Sequence, residues 1–175
     1  QLGKFNSQEL ANTAWAFATA RVEAFELFNA LADAARPQLG KFNSQDFANT
    51  AWAFATAGVE AHAFFNAIAN AARPQLGKFN SQDLANTAWA FATARVEAPA
   101  LFNTIADAAQ PQLGKFHSQE LANTAWAFAT AGVEAHAPLN ALPHASRAPL
   151  GQVHSQTLAK TALAFATPRG TALAL

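Results

Sequence analysis

The chain has 175 residues, 51% of them hydrophobic and 13% charged, with a formal net charge of zero. It has no cysteine, which excludes disulfides and thiolate-metal sites, and no run of about 18 apolar residues marks a membrane span. The balanced charge argues against a strongly electrostatic nucleic-acid binder, unless the charges are sorted onto one face.

A repeat overrides the reading of one globular domain. The segment Leu10–Ala20 recurs nearly unchanged at 47–57, 84–94 and 121–131, and weakly at 158–168. Trp15, Trp52, Trp89 and Trp126 fall 37 residues apart, with Leu163 on the next beat. A fixed period of this length, carried by helix-forming segments, predicts stacked helix-turn-helix units. The expected fold is an all-α solenoid with a 37-residue period, divided at about 1–37, 38–74, 75–111 and 112–147. A degenerate fifth unit, partly disordered, is expected over 148–175. There is no methionine, and Gln1 already lies within the repeat register, so the sequence reads as a piece of a longer protein.

In chain order, Gln1–Phe5 reads as a linker by its Gly3. Asn6 is an N-cap, Glu9 at the third helical position completes a capping box, and Phe5 with Leu10 forms a hydrophobic staple. The same pattern returns at Phe42, Asn43, Asp46 and Phe47, and at Phe79, Asn80, Asp83 and Leu84; the fourth unit has His117 at the cap. The first helix then runs from about Ser7 to Ala20 or Val22. Leu10, Ala14 and Phe17 form one apolar flank, and Ala11, Trp15, Ala18 and Val22 the adjoining one. On that placement the four tryptophans are core residues; exposed, they would stack on bases.

Gly58 and Gly132 suit the end of this helix, and Arg21 and Arg95 at the same position suit its negative pole. The second helix is expected over about Ala24–Ala35, burying Leu27, Phe28, Leu31 and Ala35. Pro37, Pro74 and Pro111 end it, Gly40, Gly77 and Gly114 open the next linker, and Pro99 falls in a first turn, where proline is tolerated.

No catalytic or metal-binding constellation emerges, so no enzyme and no cofactor is expected. Gly3-Lys4-Phe5 lacks both the earlier glycine and the following Ser/Thr of a phosphate loop. Glu9, Asp46, Asp83 and Glu120 are capping acids. His62, His117, His136 and His154 have no metal-ligand spacing, and Ser7 and its copies have no adjacent base.

What remains is polar and repeats. Gln8, Gln45, Gln82 and Gln119 form one ladder; Asn12, Asn49, Asn86 and Asn123 form a second, and Thr19 and its copies a third. Such amides either read the edges of an extended single strand, one unit per repeat, or bond neighbouring backbone at the seams between repeats. Lys4, Lys41, Lys78 and Lys115 precede each first helix along one edge, where they either track phosphates or serve solubility.

The unit Phe5-Asn6-Ser7-Gln8-Glu9-Leu10-Ala11-Asn12, with Trp15-Ala16-Phe17-Ala18, resembles the first helix of the octotricopeptide repeat. The same helix pattern occurs in organellar proteins of the FAST-kinase-domain and RAP type. The resemblance covers the first helix of four units, whereas Glu23-Ala24-Phe25-Glu26 replaces the proline-rich start of that family's second helix. It implies a right-handed solenoid that binds single-stranded RNA in mitochondrial or chloroplast RNA processing, stability or translation. The Gln8- and Asn12-type amides would meet bases and the Lys4-type residues phosphates. The alternative is a protein-binding scaffold that holds no nucleic acid. A basic row beside the amide ladders favours RNA, and an apolar groove favours protein.

Overall fold

The computed structural model describes residues 2–133. Over that span the chain is all-α: seven α-helices and no strand occur among the described residues. They are α1 (Ser7–Thr19), α2 (Phe25–Ala35), α3 (Ser44–Thr56), α4 (His62–Ala72), α5 (Ser81–Thr93), α6 (Pro99–Ala109) and α7 (Ser118–Thr130). The expected second helix of the fourth unit and the degenerate unit over 148–175 lie outside the described residues.

Each odd-numbered helix starts where its side chains can satisfy its free N–H groups. Asn6 Oδ1 accepts from the Glu9 N–H at 2.9 Å, and Glu9 Oε2 accepts from the Asn6 N–H at 2.8 Å. The reciprocal pair recurs between Asn43 and Asp46 (2.9 and 3.2 Å) and between Asn80 and Asp83 (2.8 and 3.4 Å). At α7 the His117 N–H donates to Glu120 Oε2 at 3.0 Å. Asp46 and Asp83 are buried, so these carboxylates face the backbone of the helix start. The hydrophobic staple is visible at α3, where the Phe42 and Phe47 ring centres are 5.2 Å apart.

The helix ends share one backbone motif. The Val22 N–H donates to the Phe17 carbonyl and the Arg21 N–H to the Ala18 carbonyl, the paired bonds of a Schellman motif. Identical pairs close α3, α5 and α7 through Val59 and Gly58, Val96 and Arg95, and Val133 and Gly132. The motif places its penultimate residue in the left-handed region. Gly58 and Gly132 take φ of 65° and 63°, and Arg21 and Arg95 are held there too, at 53° and 54°. Backbone geometry therefore sets a conformational requirement at the two arginines, which stand at the negative ends of their helices.

The linkers are also more ordered than their glycines suggest. Arg36–Lys41, Arg73–Lys78 and Gln110–Lys115 are 3-10 helices, each with proline near its start, and Leu2–Lys4 forms a shorter one. Leu39 and Leu76 are buried beneath them. These segments also carry seam bonds. Gln38 Nε2 donates to the Phe5 carbonyl at 3.0 Å and Gln112 Nε2 to the Phe79 carbonyl at 3.0 Å, each across 33 residues.

Two layers result. The odd-numbered helices lie side by side, α1 against α3, α3 against α5 and α5 against α7. Behind them the even-numbered helices alternate with 3-10 helices: α4 packs on Arg36–Lys41 and α6 on Arg73–Lys78. Ala48, Ala51, Ala53, Ala85, Ala88 and Ala90 are all buried along α3 and α5, which lets these helices approach closely. Between the layers, Phe28 of α2 meets Phe54 of α3 edge-to-face at 5.0 Å. Phe65 meets Phe91 and Phe102 meets Phe128 in the same way, each at 5.1 Å. The buried face of α2 is Phe28, Leu31, Ala32 and Ala35, and Leu27 is only partly covered. Its counterparts Phe64 and Leu101, which have a repeat before them, are fully buried.

Phe65→Ala should lower stability by about 3–5 kcal/mol, the range for an aromatic side chain removed from a close-packed core, seen as a lower thermal midpoint. Gly58→Arg should lose about 1 kcal/mol through left-handed strain alone, because a Cβ there meets nothing within 4 Å. Arg95→Gly, tested in parallel, should lose none.

Candidate functional site

In α1, Gln8, Asn12, Trp15 and Thr19 are spaced by four, three and four residues, so they share one stripe of the helix. The same stripe recurs as Gln45, Asn49, Trp52 and Thr56 on α3 and as Gln82, Asn86, Trp89 and Thr93 on α5. On α7 it is Gln119, Asn123, Trp126 and Thr130. Because the helices lie side by side, the stripes form columns running across the layer.

All four glutamines are exposed. Asn12 is exposed, and Asn49, Asn86 and Asn123 are half-buried. Among the described residues, no hydrogen bond takes up the amides of these eight side chains. The seam role open to the asparagines belongs instead to Gln38 and Gln112, which bond backbone of the neighbouring repeat. The threonines differ. Thr19 Oγ1 donates to the Trp15 carbonyl at 2.8 Å, whereas Thr93 Oγ1 is buried without a partner among the described residues.

The tryptophans divide: Trp52, Trp89 and Trp126 are partly buried and pack against the core, in line with the core assignment, and Trp15 alone departs from it. Trp15 is 46% exposed, and Trp52, Trp89 and Trp126 are half-buried on the same stripe as the amides. Trp52 and Trp89 lie with ring centres 6.4 Å apart and planes tilted by 31°. The reason is angular. Trp15 lies seven residues after Gln8, which returns it to within about 20° of that side chain on a 3.6-residue helix. The same position borders the buried Ala11 and Ala18, so the tryptophans stand where the stripe meets the core, and the fully buried aromatic of this helix is the Phe17 series, as Phe54, Phe91 and Phe128.

One edge of the layer carries a row of lysines, with Glu9 also exposed there, whereas the other is mixed, with Arg21 and Arg95 exposed two residues before Glu23 and Glu97. Lys4, Lys41, Lys78 and Lys115 are exposed at the ends of the 3-10 helices, beside the first turns that carry the glutamines. At the opposite ends of the odd-numbered helices stand Glu23, Glu60 and Glu97, all exposed. The basic row therefore borders the amide columns. Arg36 and Arg73 start 3-10 helices in the second layer. An open groove there is lined by Asp33, Arg36, Glu60 and His62, away from the amide columns.

Among the described residues, no group of three His, Cys, Asp or Glu side chains could hold a metal ion, and no helix is long and apolar enough to cross a membrane. The half-exposed position of Trp89 limits its share of the core. Trp89→Ala should reduce stability by about half of the ~3–5 kcal/mol typical of a buried tryptophan, and so by less than Phe65→Ala in the same melting experiment.

No curated protein matches the chain. A family model described as RNA-editing substrate-binding complex 6 protein matches residues 1–136, which takes in every described helix and all four amide-bearing stripes. With the match extending over most of its length, the chain belongs to the RNA-editing substrate-binding complex 6 protein family.

Proposed function

We propose that this protein binds single-stranded RNA on the open face of its odd-numbered helices, as a non-catalytic component of organellar RNA processing. The observation that carries the reading is a set of eight uncommitted amides, Gln8 and Asn12 with their copies, bordered by Lys4, Lys41, Lys78 and Lys115. Primary amides offer a donor and an acceptor in one plane, which suits base edges. The half-exposed indoles between them offer stacking surface to unpaired bases, and lysines along one edge suit a phosphate backbone. The family description, which names RNA editing and substrate binding, supports the same direction. So does the resemblance of the first helix to organellar octotricopeptide repeats, from which a mitochondrial or chloroplast setting follows. No cofactor enters this reading.

A second reading has one observation in its favour. Trp15, Val22 and Phe25 at the first repeat are 46%, 47% and 53% exposed, an apolar surface suited to a protein partner. The two readings separate by salt dependence. Four phosphate contacts on a single strand give a logarithmic salt slope of about −3, so affinity for a random RNA pool should fall about 50-fold between roughly 50 and 200 mM salt. Asn49→Ala with Asn86→Ala should weaken binding about thirtyfold further, at about 1 kcal/mol for each of two lost hydrogen bonds. A folded protein that binds no RNA at the lower salt would remove the RNA reading and favour the scaffold.

A further inference from the structure

The four stripes are chemically identical. Position by position they present Gln8, Gln45, Gln82 and Gln119; then Asn12, Asn49, Asn86 and Asn123; then Trp15, Trp52, Trp89 and Trp126; then Thr19, Thr56, Thr93 and Thr130. They are also held in equivalent settings, because each odd-numbered helix packs on the next and closes with the same backbone motif. An array that reads a varied sequence needs stripes that differ. Identical stripes at a constant separation complement a ligand whose successive units are themselves identical. We infer that the preferred ligand is a homopolymeric run of single-stranded RNA, and specifically a run of adenosines; this rests on the RNA-binding reading above.

Two features select adenine. A primary amide pairs in bidentate fashion with the adjacent N7 acceptor and N6 amino donor of adenine, whereas guanine is matched by the cationic forks of Arg or Lys. The lysines here stand in a separate row at the helix starts, and the stripes carry amides but no cationic side chain. Pyrimidines also offer an amide a donor and an acceptor, but they present one ring rather than two to an indole face. The tryptophan column between the Asn and Thr columns therefore favours the larger purine. The lysine row acts on phosphates and carries no base preference.

The test compares adenosine, uridine and cytidine runs of about twelve nucleotides, within the usual range of single-strand site sizes, by fluorescence anisotropy with the full 175-residue chain. The adenosine run should bind about tenfold or more tighter than either pyrimidine run, in line with one or two discriminating contacts. A cytidine placed at the centre of the adenosine run should lower that affinity. Asn49→Ala with Asn86→Ala should bring the adenosine run down towards the uridine run. Lys41→Ala with Lys78→Ala should weaken all three runs by a similar factor and leave their order unchanged. Equal affinity for the three runs, or preference for a pyrimidine run, overturns the adenosine assignment while the RNA-binding reading stands. Binding to none of them overturns both.

Discussion

One edge-to-face phenylalanine pair per repeat joins the two layers of this protein. Phe28 on α2 meets Phe54 on α3, Phe65 on α4 meets Phe91 on α5, and Phe102 on α6 meets Phe128 on α7. Each pair spans from the second helix of one repeat to the first helix of the next. No repeat can therefore bury its own aromatic face alone, which is the energetic logic of a repeat array. Coverage by a neighbouring repeat shows in the burial of equivalent positions: Leu27 is half-covered and Ala16 is exposed in the first described repeat, whereas Phe64, Leu101, Ala53 and Ala90 are fully buried. The Phe17 series also sets helix rotation. Once these rings point to the second layer and the alanines fill the contacts between neighbouring helices, one stripe of each odd-numbered helix is left facing outward.

The openness of that stripe follows from where the backbone finds its partners. Capping boxes satisfy the starts of the first three odd-numbered helices, and Schellman bonds close all four ends. Gln38 and Gln112 bridge to backbone of the neighbouring repeat. The structural needs of the fold are thereby met away from Gln8, Asn12 and their copies, whose amides stay uncommitted among the described residues. A side chain that performs no structural work on an exposed, ordered surface is available for recognition.

Much of this was legible in the sequence, for reasons that differ by element. Caps and staples depend on residues three to five apart, so Asn6, Glu9, Phe5 and Leu10 declared themselves locally. Proline positions fixed where the second helices end. The amide stripe followed from helical spacing and stands open in the structure. The tryptophans were half legible: their angle places them beside Ala11 and Ala18, and Trp52, Trp89 and Trp126 do pack on the core, but the same angle is shared with Asn12 and Thr19, so each indole lies at the border of the open stripe. The seam role of Gln38 and Gln112 was not legible. It depends on a partner 33 residues away, and the glycines beside these residues suggested an irregular linker. The left-handed Arg21 and Arg95 were hidden for a similar reason, although their alignment with Gly58 and Gly132 held the signal.

The balanced charge of the chain, finally, misleads about its open face. Acids and bases are equal in number, yet they differ in direction. Asp46 and Asp83 are buried, with their carboxylates turned to the N–H groups of α3 and α5. There they complement the positive ends of the helix dipoles rather than project into solvent. Glu23, Glu60 and Glu97 project at the far edge of the layer. Lys41 and Lys78 stand exposed beside the capped starts of these same helices, so an approaching polyanion meets ammonium groups first. Salt screens charges beyond about 8–10 Å, so a ligand on the stripes responds to this local arrangement and not to the sum over the molecule. A formally neutral protein can thus present a row of lysines beside its amide columns, with the acids nearest the starts of α3 and α5, Asp46 and Asp83, enclosed in their helix caps.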